Sequence, residues 1–297
     1  MRREGFLRAL FATWGPAGEM IMAYEFSKSG VRVTVGTGHR AAPVICAAKG
    51  TGLLQQTLEL IHDKPPLRMS YWRGSSDKLV VVFNGVGTKP HEYPRNEFFK
   101  SATNNGKHHA LFVSDISRSW LNGEGIDRQI VDCVRKVAAD KRVTETHLIG
   151  NSMGGTMALL LKDMIGARSV LSFVPQYSVS PDIVPEEKRW MRFRKKIESF
   201  QYPVVTLEYK AEQSVFILHG GADDELVHAN RFPQLRGIRH FVFPEQDHNL
   251  CRNLKAKGQL APMITAAIDG RPYVFRGLVE ANGGMFIGAF HKAQAAQ

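Results

Sequence analysis

The chain has 297 residues, 43% hydrophobic and 23% charged, a composition that excludes the disordered, collagen-like and disulfide-scaffold classes. Lys and Arg outnumber Asp and Glu by 39 to 28, a formal net charge of +11, which favours anionic partners or surfaces through long-range attraction and leaves the fold open. Cys46, Cys133 and Cys251 form no Cys-x-x-Cys pair. Neither a zinc cluster nor a disulfide framework is indicated, and a reducing, cytoplasmic location is expected.

The opening Arg2-Arg3-Glu4-Gly5-Phe6-Leu7-Arg8 faintly resembles a twin-arginine export signal, but Gly15, Pro16 and Glu19 interrupt the apolar stretch behind it, so it is expected to stay unprocessed. No run of about 18 apolar residues occurs, so no transmembrane helix is expected. Residues 1–24, with Phe6, Leu7, Leu10, Phe11, Trp14, Met20 and Met22, read as an amphipathic N-terminal extension that packs on the body. From Glu25 to Cys46 a weak alternation, Val31, Val33, Val35 and then Val44, Ile45, predicts an early antiparallel hairpin around Gly36-Thr37-Gly38.

Beyond it, short continuous apolar runs mark strands buried on both faces of a mostly parallel sheet: Leu79 to Phe83, Ala110 to Val113, Thr146 to Ile149, Ser169 to Val174, Val215 to Leu218 and His240 to Phe243. Helical stretches intervene, the clearest from Ile126 to Ala139, where Ile126, Ile130, Val134 and Val137 recur at three- and four-residue spacing after Gly125. This alternation predicts an α/β fold in one domain of 297 residues. Right-handed crossovers then gather the loops that follow the strands on one edge, where ligands bind. The tail Ala289 to Gln297 is expected to fray.

Gly150-Asn151-Ser152-Met153-Gly154-Gly155 follows one such strand and precedes Thr156-Met157-Ala158-Leu159-Leu160-Leu161, a good helix. Strand, sharp turn and helix around Gly-x-Ser-x-Gly is the setting of a nucleophile elbow, whose glycines let strand and helix approach closely. A glycine-rich turn whose serine caps the helix would use the same residues.

The stretch resembles the elbow of the α/β-hydrolase superfamily, whose triad runs Ser, acid, His along the chain. Further on, His219-Gly220-Gly221-Ala222-Asp223-Asp224-Glu225-Leu226-Val227 is similar to the family's acid loop, and Pro244-Glu245-Gln246-Asp247-His248-Asn249-Leu250 to its histidine loop. The resemblance implies a triad of Ser152, Asp223 and His248. Counting back from Val227 selects Asp224 instead as the acid. A serine hydroxyl needs such help, because an imidazole must take its proton and a carboxylate must hold that imidazole in the right tautomer. The resemblance also assigns the oxyanion donors to the backbone N–H groups of Met153 and of Val86, in Asn84-Gly85-Val86-Gly87, where Asn84 replaces the family's usual histidine.

The interval from Ser152 to Asp223 leaves room for a small cap at about 175–203, with the basic, aromatic run Glu186 to Lys196 containing Trp190 and Phe193. This run reads as a solvated helix face or as a cover that attracts an acidic substrate. Asn84, Asn151, Asp115 and Trp190 are candidate substrate-binding residues, and loop capping is the competing role for Asp115.

The leading expectation is a serine hydrolase that cleaves an ester or related acyl bond through an acyl-Ser152 intermediate, without metal or organic cofactor. Its substrate would be a small-molecule or polymer-borne acyl compound, with the net charge favouring an anionic one, and no nucleic acid is expected. An acyltransferase or thioesterase would use the same triad. A non-catalytic α/β-hydrolase-fold module that binds an anionic partner would not need all three residues. Oligomeric state is not written in the sequence.

Overall fold

The structure is a computed structural model that describes residues 7–15, 18–27 and 30–37 as backbone and residues 58–296 with their side chains. The chain divides into two compact units, Met1–Glu59 and Leu60–Gln297. The division falls at Glu59, whereas the sequence suggested one domain with an extension ending at residue 24.

In the first unit, β1 (Leu7–Gly15), β2 (Gly18–Ser27) and β3 (Gly30–Thr37) form an antiparallel sheet in that order. Pairs run from Leu7↔Phe26 to Gly15↔Gly18, and from Met20↔Thr37 to Ser27↔Gly30. The described parts of the expected amphipathic extension are strand, and the strand that carries Val31, Val33 and Val35 pairs antiparallel with β2; Gly38 and the strand expected after it lie outside the described residues. The alternation that marks β3 starts well upstream, and glycines at the paired strand ends, Gly15, Gly18 and Gly30, suit tight reversals. Val44 and Ile45 lie outside the described residues, as does the Arg2-Arg3 pair.

In the second unit the elements are β4 (Glu59–Lys64), β5 (Leu67–Trp72), β6 (Lys78–Phe83), α1 (Phe99–Ala102), β7 (His109–Asp115), α2 (Ile126–Lys141), β8 (Glu145–Asn151), α3 (Met153–Ile165), β9 (Ser169–Phe173), α4 (Met191–Arg194), β10 (Ser214–Gly220), α5 (Asp223–Ala229), β11 (Ile238–Phe243), α6 (Leu250–Ala256), α7 (Leu260–Ile268), α8 (Pro272–Ala281), β12 (Met285–Phe286) and α9 (Ile287–Ala295). Among the described residues the sheet runs β12-β11-β10-β9-β8-β6-β7-β5-β4. Strands β6 to β11 pair in parallel, while β5 on β7 and β12 on β11 are antiparallel.

All six anticipated strands are present because each is apolar enough to be covered on both faces. From Leu79 to Phe83 every side chain is buried, and so is every one of β9. Strand β4 escaped the sequence reading because it is an exposed edge with no apolar stripe. Helix α2 buries Ile126, Ile130, Val131, Val134 and Val137 and ends where Arg142 turns left-handed at φ 55°. The C-terminal tail does not fray at Ala289: α9 continues to Ala295 with Ile287 and Phe290 buried, the packing that the polar composition concealed.

The parallel register aligns Phe83 with Gly150, Gly150 with Ser172, and Gly220 with Phe243. The carboxyl ends of β6, β8, β9, β10 and β11 thus open on one edge. The loops carrying Asn84, Ser152, Val174, Gly221 and Pro244 all leave from it.

Candidate active site

Ser152 lies between β8 and α3 at φ 55°, ψ −121°, a conformation that a non-glycine residue holds only under tertiary constraint. Its N–H donates to the Phe173 carbonyl (2.8 Å). Two glycines make the turn feasible. A Cβ on Gly150 would come within 2.0 Å of the Gly154 oxygen, and one on Gly154 within 1.9 Å of the Phe83 oxygen. Ser152 is only 5% exposed.

His248 arrives on the loop after β11, with Nε2 3.0 Å from Ser152 Oγ and Nδ1 2.7 Å from Glu225 Oε1. A carboxylate only accepts, so Nδ1 carries the proton and the Nε2 lone pair faces the serine hydroxyl. This is the hydroxyl–imidazole–carboxylate chain expected from the sequence, with a different carboxylate.

The carboxylate is Glu225; neither Asp223 nor Asp224 contacts His248. Helix α5 begins at Asp223, so Asp223 and Asp224 sit exposed in its first turn, where acidic groups suit the helix dipole. About 100° of rotation per residue then turns the third acid inward. Glu225, His228 and Ala229 are the buried residues of this helix, an i, i+3, i+4 pattern that the sequence carried and loop similarity overlooked. Asp224 instead accepts from Arg189 Nη1 at 3.0 Å.

Glu225 is 1% exposed. Burial alone would raise its pKa, but the hydrogen bond and charge of His248, with His219 and Arg189, outweigh that and hold it at about 2. Arg189 also pairs with the buried Glu187, whose Oε2 accepts from both Arg189 Nη2 and His228 Nε2, the latter at 2.9 Å. Burial likewise opposes ionisation of Glu187, and hydrogen bonds from His228 and Arg189 hold it at about 2. The cap is thereby tied to the carboxylate beneath the imidazole.

Two of the cap's basic residues, Arg189 and Arg194, are part of its internal structure. Arg189 lies over the Trp190 ring at 4.6 Å. Arg194 is buried, with Nε donating to the Val179 carbonyl (2.9 Å) and Nη1 to that of Glu187 (2.5 Å). Lys188, Arg192, Lys195 and Lys196 remain exposed. Trp190 stands at the site, its ring 5.1 Å from the His248 imidazole and 6.1 Å from Trp120.

Two expected substrate contacts are otherwise engaged. Asn84 is buried; its Nδ2 donates to Ser114 Oγ (2.8 Å) and Asn96 (3.3 Å), and its Oδ1 accepts the Glu97 N–H (2.8 Å). It therefore ties the end of β6 to a neighbouring loop. Asp115 is fully buried and accepts from the N–H and hydroxyl groups of both Ser117 and Ser119. Its role is to cap the loop. Asn151 points to Glu97, Nδ2 to Oε1 at 3.4 Å.

Met153 opens α3, so its N–H has no helical carbonyl four residues back. In the other expected oxyanion segment the Gly85 N–H is spent on Glu97 Oε2 (3.0 Å). The Val86 carbonyl accepts from Arg118 Nε (3.1 Å). Arg118 is fully buried, and its remaining N–H groups bond the carbonyls of Pro90, Ile116, Lys89 and Glu92. One guanidinium thus staples the whole loop, a role sequence reasoning missed because backbone partners leave no motif.

No protein-family model matches the sequence, and no curated protein matches it. Solved structures do. The capsule O-acetyltransferase of Neisseria meningitidis serogroup A is 14% identical, with a TM-score of 0.50 over 73% of this chain and 97% of that one. An acylaminoacyl peptidase of Pyrococcus horikoshii is 11% identical, with a TM-score of 0.48 over 90% and 56%. An α/β serine hydrolase without lid from Xanthomonas campestris is 13% identical, with a TM-score of 0.42 over 71% and 94%. At such identities the likeness is one of fold, and with the parallel sheet and strand-to-helix elbow it makes this a chain of the α/β-hydrolase fold.

Proposed function

We propose that this protein is an acyl-transferring serine enzyme in which Ser152 is the nucleophile, His248 the general base and then acid, and Glu225 the residue that orients the imidazole. The observation that carries the reading is the unbroken contact chain, Ser152 Oγ to His248 Nε2 at 3.0 Å and His248 Nδ1 to Glu225 at 2.7 Å. As Oγ bonds to the acyl carbon, its proton passes to Nε2 and the carbonyl electron pair moves onto oxygen, facing the Met153 and Val86 N–H groups. Collapse expels the leaving group with the proton from Nε2. Glu225, ionised well below neutral pH, stabilises the transient imidazolium.

Hydrolysis of a carboxylic ester, with water as the second acceptor, is the simplest outcome. Transfer to a bound alcohol, amine or thiol is the second reading, supported by the 5% exposure of Ser152 and by Trp190 beside His248, which limit bulk water at the nucleophile. Turnover of p-nitrophenyl acyl esters tests both readings. Ser152→Ala should lower it by several orders of magnitude at unchanged circular dichroism, and unchanged turnover would remove the mechanism. Product partitioning with added acceptor separates transfer from hydrolysis.

A further inference from the structure

A side chain that the triad does not include touches the reacting oxygen. Gln176 is completely buried, and its Nε2 lies 3.3 Å from Ser152 Oγ and 3.3 Å from the Val174 carbonyl. The amide has one orientation. Trp120 Nε1 can only donate, and it bonds Gln176 Oε1 at 2.8 Å, so the two N–H bonds of Nε2 serve Ser152 and Val174. The backbone is clamped as well: Thr156 Oγ1 accepts the Gln176 N–H (2.9 Å) and donates to the Gln176 carbonyl (3.0 Å). Thr156 stands one turn into the helix that Ser152 begins, so nucleophile and amide are fixed to the same scaffold.

Backbone strain marks the same place. Val174 has φ 42°, an outlier for a β-branched residue, and it is held by the 2.7 Å bond from its N–H to the Leu218 carbonyl. Such strain persists only where the surroundings over-determine it. Here the strained residue follows β9 and turns the chain so that Gln176, two residues on, reaches the serine.

We propose that Gln176 is a catalytic residue that donates a hydrogen bond to Ser152 Oγ in acylation and deacylation; this rests on the serine mechanism above. Because Oγ accepts from Gln176, its own hydrogen is left to point at His248 Nε2. As the proton leaves, negative charge grows on Oγ before the bond to the acyl carbon is complete, and the Gln176 N–H stabilises it. In deacylation the acceptor gives its proton to His248 Nε2 as it bonds to the acyl carbon; on collapse the Oγ–acyl bond breaks, its electron pair returns to Oγ, and the same N–H stabilises that charge until His248 passes the acceptor's proton to Oγ. The group is pre-organised and dry, the setting in which a fixed dipole is most effective.

The test compares fluorophosphonate labelling rates of Gln176→Glu, Gln176→Leu and Trp120→Phe with wild type from pH 5 to 9. Gln176→Glu keeps the acceptor for Trp120 and nearly the same volume, so it separates donation from packing. A loss of about 10- to 100-fold at neutral pH is expected for both Gln176 variants, and a smaller loss for Trp120→Phe, which releases the amide orientation. For Gln176→Glu the ratio to wild type should rise as pH falls, since the introduced carboxyl, once protonated, donates again; packing alone would not produce that trend. Wild-type labelling with Gln176→Glu equal to it at every pH would overturn the role of Gln176 and leave the triad standing. Absence of wild-type labelling at Ser152 would overturn both.

Discussion

Arg189 Nη1 lies 2.5 Å from Glu225 Oε1, the same oxygen that accepts the His248 Nδ1–H at 2.7 Å. A residue of the cap and the imidazole beside the nucleophile therefore share one buried carboxylate oxygen. Arg189 also holds Glu187, so one guanidinium neutralises two carboxylates that are each nearly inaccessible to water. Buried charges of this kind add little net stability while paired and cost a great deal when one partner is removed.

Arg189→Met should accordingly destabilise the protein by about 3 kcal/mol, measured by urea unfolding, because it leaves Glu187 and Glu225 buried without their cation. Arg189→Lys should recover part of the loss, since a point charge cannot reproduce the forked contact. A variant within about 0.5 kcal/mol of wild type would show that the pair is not maintained in solution.

The identity of the acid separates geometry from sequence similarity. Glu225→Gln should lower ester turnover by about 10³- to 10⁴-fold, whereas Asp223→Asn should leave it unchanged and Asp224→Asn should change it little. The reverse ranking would place the acid at the N-terminus of α5, where the loop similarity put it.

Stability should fall on acidification in two overlapping windows. Glu225 and Glu187 are held at about 2 against an ordinary 4.5, so their contribution is complete above 4.5 and is lost as pH falls toward 2. Burial holds His219 at about 4, and burial with the charge of Lys78 does the same to His147, against an ordinary 6.5. Both stay neutral in the fold while the unfolded chain takes up protons, so stability also declines from pH 6.5 toward 4. Unfolding free energies from urea denaturation at pH 7.5, 5.5 and 4.0 should descend in that order, by several kcal/mol in total. A flat profile from 6.5 to 4 would contradict the buried neutral state of these histidines.

Two glycines should respond in opposite directions. Gly154→Ala drives a Cβ to 1.9 Å from the Phe83 oxygen and should abolish folding or cost several kcal/mol. Gly277 is exposed inside α8 with nothing within 4 Å of the added carbon, and Gly277→Ala should stabilise by about 1 kcal/mol. Thermal unfolding of both variants distinguishes steric need from helix propensity.

The parallel sheet was legible because each buried strand needs a continuous apolar run, and Leu79 to Phe83 or Ser169 to Phe173 can be read directly. The elbow was legible because close strand–helix approach demands glycine at fixed offsets. Strand β4 was not, since an exposed edge requires no apolar pattern. The carboxylate that meets His248 was not legible, because similarity aligned the loop, while the helix start at Asp223 decides which of three consecutive carboxylates turns inward. Gln176 and Arg118 left no local signature at all. Their partners, Trp120 and Ser152 for one and backbone carbonyls for the other, are brought together by tertiary packing alone.

The most direct measurement is peptide mapping of the protein after treatment with a fluorophosphonate. A single phosphonylated serine is expected at residue 152, strongly slowed in His248→Ala and absent in Ser152→Ala. An inert Ser152 in folded wild-type protein, or label on another serine alone, would contradict it.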